Sequence, residues 1–319
     1  MKNVLITGGV GFIGTNLAEF LLELGYNVYS LDNYSFGSKQ NELKKVSYYN
    51  LDIEEIDQIK QQIDICFHLA AMARVQPSFE NPSEYFRVNT YGTTKVMEWA
   101  KKNNVKVVYA GSSSKHFDPS DSPYAMYKFL GEEVCKLYKK TYDVKVEIAR
   151  FYNVYGPREV IHEKYGNVIG IWKTKVKNGE PLPIVGDGNQ RRDFTHVHDI
   201  VDGLIKIALS NNQHEDAWEL GTGNNYSINE LFEMFKKRFD VNSTNIPDQP
   251  GNYKKTLRKN DDLINLLGWK PKDRLNNYIQ KLKIFKGHLI MLKCDHQQTK
   301  CRSKWVIQKT AYLLKTRRK

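Results

Sequence analysis

Cysteine is scarce in this sequence, and its few copies are far apart. The chain of 319 residues has four cysteines, Cys66, Cys135, Cys294 and Cys301, and no Cys-X-X-Cys pair. This spacing argues against a disulfide framework and against the common zinc motifs, and it favours a reducing compartment. Because Cys66 lies in an apolar segment, we interpret it as a small core residue.

Long hydrophobic runs are also absent. No window approaches the ~18 apolar residues of a membrane helix, and no charged-then-apolar leader precedes the first strand pattern. Internal repeats and low-complexity tracts are absent before the basic C-terminal segment. These features predict a cytoplasmic protein.

Acidic residues are scarce at one end of the chain only. The net charge is +12, but residues 285–319 carry ten Lys and Arg against the single acid Asp295, a net of +9. The remainder is nearly balanced, so we expect no nucleic-acid partner. The tail could form a short basic amphipathic helix at an anionic membrane surface, although an extension without function is the simpler interpretation. Truncation after Ile284 is then expected to leave activity intact.

What the chain does have is enough apolar side chain to fill a core, at 40% of residues. Short β-branched runs predict strands at 2–7, 26–32, 46–52, 64–70, 105–111 and 144–150. Helical periodicity predicts helices at 12–24, 83–102, 124–141, 199–209 and 227–239. Since the strand runs are apolar on both faces, a parallel sheet covered by helices on each side is expected. We predict an α/β fold in which a smaller mixed α/β C-terminal substrate lobe follows this doubly wound parallel sheet.

A glycine motif follows the first predicted strand. In TGGVGFIG, Gly8, Gly11 and Gly14 fall at a strand-to-helix turn, where the backbone can approach a pyrophosphate at a helix N-terminus. Asp32 ends the next strand, 18 residues after Gly14, within reach of a ribose 2′-hydroxyl. This pattern predicts a Rossmann-type site, and the carboxylate favours NAD over NADP. The alternative is that the glycines only close a turn and Asp32 only caps a strand.

The third predicted strand ends in NLDI, which offers a weaker signal. Asp52 could accept a hydrogen bond from the adenine amino group, with Ile53 packed beside the ring. An aspartate in a strand-end turn explains the same pattern equally well.

A tyrosine and a lysine four residues apart are candidates for acid-base chemistry. Tyr124 and Lys128 follow a helix-start signal, so they lie on one helical face, where an ammonium can lower the pKa of a phenol toward neutrality. A tyrosine tuned in this way is a general base. Tyr91 and Lys95 have the same spacing, but only Tyr124 follows a strand that ends in the serines 112–114. We therefore interpret Tyr91 and Lys95 as a chance match.

The motifs TGGVGFIG, LDN, HLAA, the serine run, YAMYK and RFYNVYGP occur in one order along the chain. In this order the sequence resembles the extended short-chain dehydrogenase/reductases, and within them the NAD-dependent nucleotide-sugar epimerase/dehydratase family, most like the UDP-glucose 4-epimerases. The resemblance covers residues 1 to about 284. It implies an NAD-binding Rossmann domain at 1–165, with return segments from the C-terminal half, and a substrate-binding lobe at 166–284, followed by the basic tail at 285–319.

The resemblance also implies a mechanism. Tyr124 takes the sugar hydroxyl proton while hydride passes to the nicotinamide, and Lys128 holds the nicotinamide ribose. Ser113 bridges the substrate hydroxyl and Tyr124, if His116 and Phe117 match the family's Val-Tyr pair. The keto intermediate turns over and is reduced on its other face, which epimerises C4. Related dehydratases carry an Asp-Glu pair where this chain has SSSK, so epimerisation is favoured over dehydration.

Further site residues follow from the resemblance alone. For NAD they are Gly8, Gly11, Phe12, Ile13, Gly14, Asp32, Asn33, Asp52, Ile53, Leu69, Ala70, Ala71, Asn89, Tyr124, Lys128 and Tyr152. For the substrate they are Asn153, Asn167, Arg192 and Thr256. Arg192 is expected to bind the diphosphate, although a surface arginine paired with Asp193 is the alternative.

The chain departs from the family pattern in its substrate lobe. Gln249 stands where the family has a phosphate-binding arginine, and Asn252 replaces an acid. Thr256 occupies the position of a bulky tyrosine that limits the sugar's 2-substituent, so acceptance of N-acetylated sugars is a hypothesis. The connection from Ser113 to Tyr124 is shorter than in the family, which predicts a more open sugar pocket.

Histidines in the segment HVHD raise the question of a metal. His196, His198 and Asp199 are ligand types, and strand alternation would place both histidines on one face. No third ligand is evident, so we predict no metal site.

Two assembly and function questions stay open at this level. The resemblance implies a homodimer through helices at 83–102 and 124–141. Besides 4-epimerisation, the sequence is compatible with another nucleotide-sugar epimerase or reductase of the family, or with a non-catalytic NAD-binding module.

Overall fold

The described structure, a computed structural model, covers residues 2–284. Seven of its strands form one parallel sheet in the order β3-β2-β1-β4-β5-β6-β10. A three-stranded sheet (β11-β9-β7) and a two-stranded sheet (β12-β8) form a smaller part. The strands are β1 Asn3–Thr7, β2 Asn27–Asp32, β3 Val46–Asn50, β4 Ile65–His68, β5 Lys106–Ser112, β6 Val146–Phe151, β7 Asn153–Tyr155, β8 Leu182–Val185, β9 Arg191–His196, β10 Trp218–Leu220, β11 Asn225–Ser227 and β12 Ser243–Ile246.

The helices connect these strands. They are α1 Phe12–Glu23, α2 Gln76–Glu80, α3 Pro82–Phe86, α4 Gly92–Asn103, α5 Pro123–Tyr142, α6 Val168–Asn178, α7 Val197–Leu209, α8 Ile228–Phe239, α9 Asp262–Leu267 and α10 Leu275–Gln280. The predicted helix at 83–102 is α3 and α4 joined by a π-helical turn, Arg87–Tyr91. Such turns are frequent at functional sites. The five predicted helices and six predicted strands are confirmed within a few residues.

Both faces of the large sheet are buried, as its apolar strands predict. On one face, Val4 and Ile6 of β1 pack with Leu17 of α1 and with residues of α7. On the other face, Leu5 and Cys66 pack with residues of α4 and α5. Each buried aliphatic side chain contributes roughly 1.5–3 kcal/mol. The predicted Rossmann-type doubly wound sheet is confirmed, as is the core position of Cys66, which is 0% exposed.

A third core lies under the small sheets. Trp172 of α6, Phe235 of α8 and Leu275 of α10 are buried there together with Tyr155 of β7. This is the smaller mixed α/β part expected from the C-terminal half. Strand β10 also comes from that half but completes the large sheet beside β6, so the chain returns to the first part.

The segment HVHD is not a strand, and its predicted alternation is wrong. Only His196 belongs to β9, and α7 begins at Val197. The His196 ring accepts a hydrogen bond from the His198 backbone at 3.2 Å and thereby caps the helix. Helix capping, rather than strand pairing, explains the two histidines.

The described residues contain no helix that is both long and apolar enough to cross a membrane. The tail at 285–319, for which the sequence allows an amphipathic helix, lies outside the described residues.

Candidate active site

The glycine turn joins β1 to α1 and packs too tightly for side chains. Gly8 has a φ of +73°, and a Cβ there would lie 2.9 Å from the Ala70 backbone nitrogen. A Cβ on Gly14 would overlap the Gly8 carbonyl oxygen. Gly11 precedes α1 without a side-chain cap, so the amides of Phe12 and Ile13 at the helix start have no capping side chain. A bare helix N-terminus at a glycine turn suits a pyrophosphate.

Asp32 lies at the end of β2, directly beside this turn. Its carboxylate accepts hydrogen bonds from the backbone of Val10 at 3.1 Å and of Tyr34 at 2.9 Å. Burial raises the pKa of Asp32, although the two amides oppose the shift. The site thus combines a pyrophosphate-type turn with an acceptor for ribose hydroxyls, and these residues fit NAD.

The end of β3 is occupied by a polar cluster around Asp52. Asp52 caps a 3₁₀ turn in a capping box with Glu55, accepts from Asn33 at 2.9 Å and pairs with Arg87 at 2.8 Å. Burial disfavours the charge, but the hydrogen bonds from Arg87 and its neighbours prevail and lower the pKa of Asp52. Ile53 is buried in the core. The turn-capping alternative is therefore present, and an adenine contact stays a prediction.

The loop after β4 is hydrogen-bonded to the π-helical turn. The amide side chain of Asn89 accepts from the Met72 backbone at 2.8 Å and donates to the Met72 carbonyl at 2.9 Å. The Ala70 backbone donates to Thr7 at 3.2 Å. The structure thus places Leu69 and Ala70 beside the glycine turn, while Asn89 holds the loop that continues through Ala71 to Met72.

Tyr124 lies in the first turn of α5, where the Ser122 hydroxyl caps the helix. Its hydroxyl donates to the Ser112 hydroxyl at 3.2 Å. The partner is thus Ser112 rather than Ser113, for which the sequence predicted this contact. The physical reason is local: Ser112 is the last residue of β5, whereas Ser113 already belongs to the following 3₁₀ turn and leaves in another direction.

Lys128 lies one turn further along α5 and is buried. Its ammonium donates to the Ala110 carbonyl at 2.5 Å and lies 4.4 Å from the centre of the Tyr109 ring. Burial lowers the pKa of Lys128 to about 8, against the attraction of Glu132. Tyr124 and Lys128 do share one helical segment beside β5, as predicted.

The predicted lowering of the Tyr124 pKa is not found in this structure. Burial raises the pKa of Tyr124, while the hydrogen bond to Ser112 and the positive charge of Arg74 act in the opposite direction. The ammonium of Lys128 is directed at a backbone carbonyl instead. Arg74, which sequence reasoning missed, is the cation that favours the phenolate.

A buried ion pair contacts the backbone of Ser112, at the end of β5. Glu132 accepts from the Ser112 backbone at 3.2 Å and binds Arg150 at 2.8 Å, and both side chains are at most 3% exposed. Gly111 is required because a Cβ would lie 2.7 Å from a Glu132 carboxylate oxygen. Sequence reasoning missed this pair. Its signal was a glutamate one turn after Lys128 and an arginine inside the apolar strand β6.

Tyr152 and His116 meet at one buried carboxylate. The Tyr152 hydroxyl donates to Glu219 of β10, and the His116 ring bonds to the same side chain at 2.8 Å. Burial and the negative charge of Glu219 raise the pKa of Tyr152. Tyr152 thus anchors the strand end, and His116 anchors the short connection to α5. A direct contact of Tyr152 with NAD stays a prediction.

Arg192 lies on β9, in the smaller part of the fold. Its guanidinium donates to the Tyr253 carbonyl at 2.5 Å and to the Asn252 side chain at 2.6 Å. Burial lowers the pKa of Arg192 to about 10. The neighbouring Asp193 is buried and binds Thr222 at 2.8 Å. Arg192 therefore contacts neutral groups, in place of the alternative pairing with Asp193.

The other predicted substrate residues have structural contacts of their own. Thr256 is 5% exposed, and its hydroxyl accepts from the Asp193 backbone at 3.2 Å and from Asn153 at 3.5 Å. Asn167 caps α6 through Gly170 and donates to Val154, both at 2.8 Å. Asn153 and Thr256 are thus brought together, while Asn167 lies at a helix start.

A cover segment, residues 248–253, packs over the short connection before α5. Gly251 is so close that a Cβ would lie 3.4 Å from the Asp121 carbonyl oxygen. Gln76 donates to the Pro250 carbonyl at 2.8 Å, and the rings of Phe117 and Tyr253 stack at 3.9 Å. This segment therefore packs against the short connection, and a sugar pocket more open than in the family stays a prediction.

The sequence is similar to known proteins along most of its length. Residues 4–221 match the model of the NAD dependent epimerase/dehydratase family. A putative UDP-glucose 4-epimerase of Methanocaldococcus jannaschii is 34% identical over 88% of this chain and 96% of the relative. A UDP-glucuronic acid decarboxylase of Xenopus tropicalis is 29% identical over 85% of this chain and 68% of the relative.

Among solved structures, one similar protein is the UDP-N-acetylglucosamine 4-epimerase of Methanobrevibacter ruminantium, in complex with UDP-N-acetylmuramic acid. It superposes with a TM-score of 0.80 and is 29% identical over 88% of this chain and 96% of the other chain. The family match spans the glycine turn, Asp32, Tyr124 and Lys128, and the relatives cover both parts of the fold. The chain therefore belongs to the NAD-dependent epimerase/dehydratase family of nucleotide-sugar enzymes, and its cofactor is NAD.

Proposed function

We propose that the protein epimerises a UDP-sugar, UDP-glucose/UDP-galactose or their N-acetyl forms, at C4 through a keto intermediate. The observation that carries this proposal is the hydrogen bond from Tyr124 to Ser112 at the end of β5, with Lys128 one turn away on α5. The carboxyl ends of β1, β2, β4 and β5 meet at this edge of the sheet. NAD, when bound, supplies the hydride acceptor and returns the hydride.

The chain's own residues would handle the protons. The Tyr124 phenolate takes the proton of the C4 hydroxyl and gives it back after the keto sugar has turned over. Ser112 orients the phenol, and Arg74 stabilises its anion. Lys128 supplies an ammonium for the nicotinamide ribose. Ser113, on the adjacent turn, stays our candidate for contacting the substrate hydroxyl.

Arg192 supports a diphosphate-linked substrate. A half-buried guanidinium whose hydrogen bonds within residues 2–284 go to neutral acceptors can still attract an anion strongly. Asn153 and Asn167 are proposed to assist it. The uridine nucleotides in the names of the relatives support UDP as the carrier. Thr256, small where a tyrosine is expected, supports acceptance of N-acetylated sugars.

A second candidate function is favoured by Arg74. This half-buried cation lies near Tyr124 and donates to the Tyr165 and Ala73 carbonyls at 2.7 and 2.9 Å. A sugar carboxylate would be a suitable partner for it. Oxidation of a UDP-glucuronate at C4 would give a β-keto acid that loses carbon dioxide, and return of the hydride to C4 would give a UDP-pentose. The Xenopus relative is named a UDP-glucuronic acid decarboxylase.

The test is product identification. Purified protein is incubated with UDP-glucose, UDP-N-acetylglucosamine and UDP-glucuronate, together with GDP- and dTDP-sugar controls. The 4-epimer should form from at least one UDP-hexose, whereas a UDP-pentose from UDP-glucuronate would instead support decarboxylation. Tyr124→Phe should lower kcat by about 100-fold or more and keep its NAD. Equal inertness of wild type and Tyr124→Phe would favour the binding-module alternative.

We also propose which part of the chain binds which ligand, and that the protein forms a homodimer. Residues 1–165 bind NAD, and residues 166–284 bind the sugar nucleotide. Helices α4 and α5 pack against each other within the chain, and the side chains of Leu137 and Tyr142 of α5 and of Tyr91, the last residue of the π-helical turn, are exposed. This exposure supports a homodimer formed through these helices.

A further inference from the structure

The cover segment 248–253 is held by contacts on three sides. Gln76 binds its Pro250 carbonyl, Arg192 binds Asn252 and the Tyr253 carbonyl, and Phe117 stacks on the Tyr253 ring. Two of these contacts come from the NAD-binding part and one from the substrate lobe. The segment therefore spans the two parts directly over the start of α5.

Tyr253 has a buried hydroxyl that makes no hydrogen bond of good geometry within residues 2–284, although the neighbouring Ser122 hydroxyl lowers its pKa. A buried hydroxyl left unpaired costs free energy, so such a group calls for an explanation. Burial, with the nearby charges of Asp121 and Tyr124, raises the pKa of Tyr253 to about 12. The phenol is thus neutral at physiological pH and able to donate a hydrogen bond.

The position of this hydroxyl is set on two sides. The Tyr253 ring is nearly parallel to that of Phe117, with 9° between their planes, so the stack fixes the direction in which its hydroxyl points. The hydroxyl lies beside Ser122, whose hydrogen bonding lowers the pKa of Tyr253, and near Tyr124, whose charge raises it. The backbone of the same residue binds Arg192. Tyr253 thus lies between the proposed proton acceptor and the proposed diphosphate ligand.

We infer that the Tyr253 hydroxyl donates a hydrogen bond to the sugar of the nucleotide-sugar substrate, and that Tyr253 is a specificity-determining residue of the sugar pocket. This inference rests on the proposed function. A sugar attached to a diphosphate at Arg192, with its reacting hydroxyl at Tyr124, must pass beside Tyr253. A sugar hydroxyl or N-acetyl carbonyl would then satisfy the unpaired phenol.

The test compares binding of a UDP-sugar with binding of UDP. The sugar used is whichever of UDP-glucose and UDP-N-acetylglucosamine wild type turns over, and affinities are measured by calorimetry on the NAD-loaded protein. Tyr253→Phe keeps the ring stack and removes only the hydroxyl. We expect about tenfold weaker binding of the UDP-sugar, unchanged binding of UDP, and a raised KM with kcat nearly unchanged.

Tyr155→Phe is the matched control. Its hydroxyl is likewise buried without a hydrogen bond of good geometry in the described part of the chain, with the Arg274 backbone beside it, but it lies in the core of the smaller part. This variant should bind both ligands like wild type. Equal melting temperatures and NAD content would show that both variants are folded.

The outcomes separate this inference from the function on which it rests. If wild type turns over no UDP-sugar, the proposed function fails and the inference with it. If wild type is active and Tyr253→Phe binds the UDP-sugar as tightly, the inference alone is overturned. Equal weakening for UDP and the UDP-sugar also overturns it, because the hydroxyl would then contact the nucleotide.

Discussion

At the scale of single residues, the two neighbouring serines Ser112 and Ser113 have different surroundings. Ser112 is buried, receives hydrogen bonds from Tyr124 and from the Ser114 hydroxyl at 2.9 Å, and donates its backbone N–H to Glu132. Ser113 begins the turn that leaves the strand. Once Tyr124 has lost its proton, the Ser112 hydroxyl can rotate and donate to the phenolate oxygen, so this contact lowers the pKa of Tyr124 and acts against the effect of burial.

Ser112→Ala is therefore expected to raise the pKa of Tyr124. Since the proposed base must be deprotonated, the rising limb of the pH profile of kcat should move to higher pH. At neutral pH, kcat should fall by about tenfold, the effect of a lost hydrogen bond to a charged group. Ser113→Ala, which leaves the Tyr124 contact in place, should change KM for the sugar without moving the limb. If only Ser113→Ala moved the rising limb of the pH profile, Ser113 rather than Ser112 would be the residue that lowers the pKa of Tyr124.

At the scale of elements, a buried ion pair ties α5 to β6 and to the end of β5. Glu132 lies between Arg150 and the Ser112 backbone, and Asp216 binds the other side of Arg150 at 2.5 Å. Removal of one member of a buried pair leaves a poorly compensated charge, whereas an exposed pair contributes little. The elements that carry Tyr124 and Ser112 thus depend on Glu132 for their relative position.

Two adjacent glutamates of α5 test this difference. Glu132→Gln should lower the free energy of unfolding by about 2 kcal/mol, less than for a wholly unpaired buried charge because Asp216 still binds Arg150. Glu133→Gln, at a pair with Lys115 that is half exposed, should cost at most about 1 kcal/mol. Urea unfolding of the three proteins measures both values. Equal values would mean that the buried pair does not stabilise this junction.

At the scale of the whole molecule, buried neutral histidines make the fold sensitive to acid. Burial lowers the pKa of His68 to about 3 and of His196 to about 3, and it lowers the pKa of His198 to about 4. Below about pH 6.5, the pKa of histidine in the unfolded chain, these side chains bind protons in the unfolded state but not in the folded state. Each histidine should therefore lower the free energy of unfolding by about 1.4 kcal/mol per pH unit as the pH falls from about 6.5 toward its folded pKa.

Urea unfolding between pH 7.5 and 4.5 measures this slope. In His68→Gln, the contribution of His68 should disappear, so the free energy of unfolding of wild type minus that of the variant should fall by about 1.4 kcal/mol per pH unit as the pH falls below about 6.5. A constant difference between the two proteins would contradict the assignment of a lowered pKa to His68.

The proposed homodimer is also a property of the whole molecule. With a chain mass of 37.1 kDa, light scattering should give about twice this value. Leu137→Glu, on the exposed face of α5, should shift the protein to the monomer because a charge would be buried at the interface. Leu266→Glu, at an equally exposed leucine of α9, is the control and should leave the dimer intact. A wild-type monomer would refute the proposal.

The sequence by itself determined the elements and the order of the motifs. Apolar runs predict β1 to β6, the glycine motif predicts the turn before α1, and the spacing of Tyr124 and Lys128 predicts their common helix. These features depend on local periodicity and local backbone geometry, which neighbouring residues specify. Asp32 was also predictable, because the end of β2 must meet the end of β1 in a parallel sheet.

Only the tertiary structure decided which side chains meet across the site. Ser112 rather than Ser113 contacts Tyr124, Lys128 binds a backbone carbonyl, and Arg74 acts on the phenol instead. The Phe117 and Tyr253 rings, far apart in the chain, stack on each other. Such contacts depend on the paths of loops and on the direction of each side chain, which local periodicity does not specify. The sequence therefore predicted which residues carry the candidate chemistry, and only the tertiary structure decided which of them are in contact.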